Sequence, residues 1–214
     1  MIRLAFICDG PRDFSIVPHL VQTMLGEEIE PAGRFVWKHL PGKRRQKPHR
    51  GVGLKPGLRA WDRRLSFVVA IAKRDALQGI VATVDRDRRN RKESQLNGVR
   101  GAIEKLVGAP PVACGEANPH CEVWLLDDQK AVRDSLKLAA DISIPDSLKT
   151  DYPKAALDEL IDQSPGTRIE SLREIAKQVR SKRCIHRDRT GFAEFERDVT
   201  DRLKHIQNPR AART

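Results

Sequence analysis

Hydrophobic and polar positions follow two different patterns along the first hundred residues. Runs that are apolar at most positions, as in strands buried on both faces, occur at 2–8 and 79–84. Around them, apolar residues recur every third or fourth position, which is typical of amphipathic helices. Strands that alternate with helices predict an α/β domain with a mostly parallel sheet. Weaker patterns predict further strands at 34–37 and 112–114.

The helical pattern dominates the second half of the chain. Helices are predicted at 14–25, 58–79, 93–107, 132–140, 154–161, 169–179 and 192–206. Segments rich in Ser, Pro and Gly at 143–153 and 164–166 separate the later helices. The sequence therefore predicts an α/β core at 1–128 and a helical C-terminal extension at 129–214, which packs on the core as a cap.

The charge of the chain is strongly basic and unevenly distributed. The 214 residues include 40 Lys and Arg against 29 Asp and Glu, which gives a net charge of +11. Ten basic residues and one acid fall within 38–64, where residues 38–57 are expected to form a basic loop. Such a basic excess predicts an anionic partner, DNA or RNA. The predicted nucleic-acid contacts are Lys43, Arg44, Arg45, Lys47 and Arg50 in this loop, with Arg88 and Arg89 after the strongest strand.

The lengths of the apolar runs and the spacing of the cysteines indicate in which cellular compartment the protein is expected. None of the apolar runs approaches the roughly 18 residues that a membrane span needs. The run at 2–8 is also too short for the apolar region of a signal peptide. The four scattered cysteines are typical of reduced thiols rather than of a disulfide framework. We therefore expect a cytoplasmic protein with no membrane partner.

Acidic residues stand at the ends of two predicted strands. Asp9 follows the first strand, and Asp85 and Asp87 follow the strongest one. Ligands of open α/β sheets bind beyond the carboxyl ends of the strands. On an extended backbone Asp85 and Asp87 project to the same side, and clustered carboxylates suit Mg²⁺ or Mn²⁺. Because Asp is also common in turns and helix caps, the Asp-x-Asp pair is a weak signal without Asp9.

Three segments resemble a known family. Residues 8–13, Cys-Asp-Gly-Pro-Arg-Asp, resemble the Glu-Gly-x-x-Asp/Glu opening of Toprim-like proteins of the RloB-like group, which is related to the Toprim nuclease domain of OLD-family proteins. Residues 119–128 resemble the Glu-x-Trp-Leu-Leu signature of that group, and 152–157 resemble a later Pro-Lys segment. The resemblance implies a Toprim-like fold, bound Mg²⁺, and nucleic-acid cleavage in prokaryotic defence against phages, often beside an ATPase partner.

The resemblance also assigns roles to four acids of this chain. It implies that Asp9, Asp85 and Asp87 hold the metal and that these three act with Glu122 in catalysis. Asp9 stands where the family usually has Glu. Because its side chain is one methylene shorter, its carboxylate is expected to reach a metal through water.

The predicted function is that of a Mg²⁺-dependent endonuclease, or nuclease subunit, of an anti-phage system regulated by an ATPase partner. The chain has no Gly-Lys-Ser/Thr pattern, so ATP hydrolysis is assigned to that partner. Two alternatives remain: a catalytically inert subunit that binds nucleic acid or regulates a complex, and an effector that awaits a small activator. The single tyrosine, Tyr152, argues against a topoisomerase, and the spacing of Cys114, His120 and Cys121 is poor for zinc.

Overall fold

Four parallel strands form the sheet at the centre of the fold. The computed structural model describes residues 1–41, 60–86, 95–103, 105–106 and 108–207. The strands are β1 (Ile2–Cys8), β2 (Ile29–Val36), β3 (Gly79–Asp85) and β4 (Val112–Ala117), in the order β2-β1-β3-β4. Every neighbouring pair is parallel. The predicted α/β class with a parallel sheet is confirmed, and the arrangement is consistent with a Toprim-like fold.

Helices connect and flank the strands. They are α1 (Val17–Leu25), α2 (Ala60–Arg74), α3 (Gln95–Ile103), α4 (Glu122–Leu126), α5 (Gln129–Leu136), α6 (Pro153–Ile161), α7 (Arg168–Gln178) and α8 (Phe192–Leu203). The helical periodicity of the sequence predicts seven of these eight helices. It does not predict α4, because this helix is too short for a period of 3.6 residues to repeat. Among the residues that the structure describes, no helix is both long and apolar enough to cross a bilayer.

The sheet is covered on both faces, as expected for parallel strands. Alternate residues of β1 point to opposite sides. Leu4, Phe6 and Cys8 lie in one core cluster with α1 and residues of α4 to α8. Ala5 and Ile7 lie in a second cluster with α2 and α3. The C-terminal helices thus bury their apolar residues in the same cluster as one face of the sheet, while the division into domains at residue 128 stays a prediction.

Tryptophans anchor both clusters. Trp124 is fully buried and stacks on Phe195, with 4.9 Å between the ring centroids. Trp37 is buried on the other face and meets Trp61 edge to face at 4.9 Å. All four cysteines are buried and free of disulfides, in agreement with the predicted reduced thiols.

Gly191 allows the segment before α8 to pass close to β4. Its φ of +83° lies in the left-handed region, and a Cβ atom there would stand 2.0 Å from the carbonyl oxygen of Glu116. We expect Gly191→Ala to lower the free energy of unfolding by about 2 kcal/mol or more, because it adds backbone strain and a clash with backbone. Urea denaturation measures this change. Gly101→Ala in α3 is the control, since no other described residue comes within 4 Å of the position that its added methyl group would take.

The control variant should not lose unfolding free energy. Gly101→Ala should be neutral or stabilising by up to about 1 kcal/mol, because Ala has the higher helix propensity. Equal unfolding free energies for Gly191→Ala and the wild type would contradict the close approach at Glu116.

Candidate active site

The carboxyl ends of β1 and β3 form the topological switch point of the sheet. From these two central strands the order runs outward to β2 on one side and to β4 on the other, which is where open α/β sheets bind ligands. Asp9 directly follows β1, and Asp85 is the last residue of β3. The backbone N–H of Asp85 donates a hydrogen bond of 2.5 Å to Oδ2 of Asp9. The structure thus brings two of the predicted acids together, while their role as metal ligands stays a prediction.

A third acid, Asp13, lies beside this pair in the turn that follows β1. Its carboxylate accepts hydrogen bonds from the backbone N–H of Gly10 at 2.8 Å and from the thiol of Cys121 at 3.2 Å. Asp13 is only 7% exposed. Burial, and then the negative charge of Asp85, raise the pKa of Asp13 to about 7. Sequence reasoning included Asp13 in a motif without assigning it to the site, although its place in the same turn as Asp9 was a usable signal.

The pKa of the Cys8 thiol also reflects the negative charge of the nearby carboxylates. Cys8 is fully buried at the end of β1. Burial raises the pKa of its thiol well above the ordinary value, and the charges of Asp13, Asp85 and Asp9 raise it further. Three carboxylates therefore act on one buried point at the end of the central strand.

His120 contacts Asp85 from the loop after β4. Its Nδ1 lies 3.1 Å from Oδ2 of Asp85, and its side chain is 41% exposed. The hydrogen bond to Asp85 raises the pKa of the imidazole, because the carboxylate stabilises the protonated ring. The sequence did not indicate this contact of His120, because it joins residues that are distant in the chain.

Glu122 stands at the start of α4 and is paired with a base. Only 3% of it is exposed, and its Oε1 lies 2.8 Å from Nε of Arg12. The two charged groups form an ion pair, but Nε of Arg12 makes no hydrogen bond to a described residue. The Arg12 guanidinium reaches Asp158 of α6 as well, at 2.7 Å. Arg12 therefore joins the turn after β1 to α4 and α6, and the predicted catalytic role of Glu122 stays a prediction.

Several predicted site residues fall outside the part of the chain that the structure describes. They are Asp87, Lys43, Arg44, Arg45, Lys47, Arg50, Arg88 and Arg89. Their predicted roles in metal and nucleic-acid binding stay predictions.

The donor atoms of the site bear on which metal it could hold. Within the described ranges, no group of three or more His, Cys, Asp or Glu side chains is arranged to hold a metal ion. A zinc site needs such a group, whereas Mg²⁺ is often held by one or two carboxylates and completes its shell with water. Asp9 and Asp85 supply two carboxylates at the carboxyl edge of the sheet. Their chemistry fits a hard divalent cation.

The raised pKa of Asp13 gives an expected pH dependence of stability. The folded carboxyl titrates at about 7 and the ordinary value is 3.8, so the folded state binds more protons between these values. The contribution of Asp13 to stability should therefore fall as the pH rises through this window. Between about pH 5 and about pH 8, the titration of Asp13 should cost the wild type about 2 to 3 kcal/mol of unfolding free energy. Asp13→Asn should not show this loss.

Urea denaturation in EDTA across this pH range measures the Asp13 effect. The informative quantity is the difference in unfolding free energy between Asp13→Asn and the wild type at each pH. The unfolding free energy of Asp13→Asn should increase relative to that of the wild type as the pH rises. A difference that stays constant with pH would show that Asp13 titrates normally.

Comparison of the chain with protein-family models, with curated proteins and with solved structures gives no match. The likeness to the Toprim-like proteins of the RloB-like group therefore stays a resemblance carried by the residues of three short segments.

Proposed function

We propose that the chain is a Mg²⁺-dependent or Mn²⁺-dependent nuclease, or the nuclease subunit of a larger complex. The observation that carries the proposal is the contact between Asp9 and Asp85 at the topological switch point. Carboxylates at the ends of adjacent parallel strands are suited to a divalent cation that binds a phosphodiester. The resemblance supports the same chemistry and extends the proposal to an anti-phage system with an ATPase partner in the cytoplasm.

In this proposal Asp9 and Asp85 hold the cation, together with the predicted ligand Asp87. A bound Mg²⁺ would stabilise negative charge on the phosphoryl oxygens and make a bound water more acidic. The backbone N–H of Asp85 fixes the carboxylate of Asp9, and His120 fixes the carboxylate of Asp85. These two contacts restrict the rotamers of both acids before substrate binds, which lowers the cost of ordering them.

His120 and Asp13 supply the groups that carry protons near the acid pair. The partly exposed imidazole of His120 holds a proton more readily than a free histidine, because its pKa is raised, so it can place positive charge beside a phosphate. Asp13 is buried and, with a pKa of about 7, holds its proton up to about neutral pH. With Asp13 protonated, less negative charge opposes the approach of an anionic substrate.

The alternative of a catalytically inert, nucleic-acid-binding or regulatory subunit has an observation in its favour. Glu122, the acid of the Trp-containing signature, is buried in an ion pair with Arg12. A carboxylate whose charge is balanced by a guanidinium has a structural role without a metal. In that case the fold would persist while the acids serve to tie its elements together.

A cleavage assay tests the proposed function. The full chain is incubated with labelled single-stranded DNA, double-stranded DNA and RNA in Mg²⁺, in Mn²⁺ and in EDTA. We expect at least one substrate to be cut with metal and none to be cut in EDTA. Salt-sensitive binding in EDTA without cleavage in either metal, also when an ATPase partner or a small activator is supplied, would overturn the proposal in favour of the inert subunit.

A further inference from the structure

Residues 180–189, here called the basic segment, connect α7 to α8. The segment contains five Lys or Arg residues and a single acid, Asp188. Lys182, Arg187 and Arg189 are exposed, and none of the three forms an ion pair with a carboxylate in the described part of the chain. In the adjoining helices, two exposed bases do pair with acids of their own helix, Lys177 with Glu174 and Arg202 with Asp198.

Two buried acids hold the backbone of the basic segment in place. The carboxylate of Asp128 accepts hydrogen bonds from the backbone N–H of Arg180 at 2.8 Å and from Nε of Arg183 at 2.9 Å. The carboxylate of Asp127 accepts from the backbone N–H of His186 at 3.0 Å. Asp127 and Asp128 are buried at the end of α4. The segment is therefore ordered before any partner binds, which reduces the entropy cost of binding.

The basic segment ends beside the candidate active site. The backbone N–H of Asn118 donates to the carbonyl oxygen of Thr190 at 3.1 Å. The side-chain amide of Asn118 donates to the carbonyl oxygen of Arg189 at 3.3 Å. His120 follows Asn118 by two residues and contacts Asp85. Exposed positive charge thus borders the loop that reaches the acids.

The charge pattern at this edge suits a polyanion. The acids at the ends of β1 and β3 repel phosphates, whereas the basic segment attracts them through exposed bases that form no ion pair with a described carboxylate. We infer that the basic segment binds the phosphate backbone of nucleic acid beside the acid pair, an inference that rests on the nucleic-acid substrate of the proposed function. Contacts to phosphates carry no base information, so this binding is independent of sequence.

The test is the binding of fluorescently labelled DNA and RNA to the full chain in EDTA, measured by anisotropy over a range of salt concentrations. Arg187→Gln/Arg189→Gln should weaken binding about tenfold or more and reduce the slope of log affinity against log salt by about two. Lys73→Gln/Arg74→Gln is the matched control. It removes two exposed charges at the end of α2, next to the amino-terminal edge of the sheet. The control should bind with nearly the wild-type affinity and slope.

A second pair, Lys182→Gln/Arg189→Gln, guards against local unfolding, because Arg187 also donates a hydrogen bond to Ser181. Wild-type affinity and slope in both segment pairs would overturn the inference, as would equal losses in the control. Loss of binding to vesicles of anionic lipid, with nucleic-acid binding unchanged, would also overturn it by assigning the segment to a lipid surface. Binding that depends on the segment, without cleavage in Mg²⁺ or Mn²⁺ under any condition of the cleavage assay above, would support the inference and contradict the proposed hydrolysis alone.

Discussion

Asp85→Asn should reduce the rate of metal-dependent cleavage about 100-fold or more, with little change in stability. The substitution removes the negative charge of one proposed ligand and weakens the contact with His120. It retains the backbone N–H that donates to Asp9, so the local geometry of the strand end is kept. Single-turnover cleavage with metal in excess measures the effect.

Asp134→Asn is the matched control for Asp85→Asn. Asp134 is an exposed acid of α5 that pairs with Lys130 one helical turn away. Exposed pairs of this kind contribute little, so this variant should cut and unfold as the wild type does. Full cleavage activity in Asp85→Asn would exclude Asp85 as a ligand of the catalytic metal.

Arg12→Met should lower the free energy of unfolding by about 3 to 5 kcal/mol. Without the guanidinium, the buried carboxylate of Glu122 loses its compensating charge while it remains close to Asp13. The contact between the turn after β1 and Asp158 of α6 is lost as well. Urea denaturation at neutral pH, monitored by far-UV circular dichroism, measures the change.

A double substitution separates the buried charge from the rest of the Arg12 contacts. Arg12→Met/Glu122→Gln should recover about 1 to 3 kcal/mol, because no unpaired charge remains at Glu122. Arg168→Met removes an exposed arginine that pairs with Asp162 and Asp158, and should cost about 1 kcal/mol or less. If Arg12→Met and Arg168→Met destabilise the protein equally, the buried pair does not have the structural role assigned to it.

Much of the fold follows from local sequence pattern. The runs at 2–8 and 79–84 predict β1 and β3 because strands buried on both faces must be apolar along their length. The pattern predicts only the end of β2, because residues 29–33 of this strand include Glu30, Pro31 and Gly33. These residues are tolerated because β2 pairs with β1 alone among the described strands, and proline is compatible with an edge strand.

The site is only partly visible in the sequence. The meeting of Asp9 and Asp85 could be predicted, since parallel strands bring their carboxyl ends to one edge. The contacts of Asp13 with Cys121 and of His120 with Asp85 depend on where the loop after β4 passes. No periodicity encodes that path. The ion pair of Arg12 with Glu122 likewise requires the tertiary packing of α4 against the turn after β1.

The most direct test of a metal site at the strand ends is the binding of Mn²⁺ to the purified full chain, measured by electron paramagnetic resonance of the free ion without nucleic acid. We expect the wild type to bind Mn²⁺. Asp9→Asn and Asp85→Asn should each weaken this binding about tenfold or more, since each removes one carboxylate charge from the proposed site. Asp134→Asn should bind as the wild type does. Equal Mn²⁺ affinity in the wild type and in both strand-end variants would contradict a metal site at the carboxyl ends of β1 and β3.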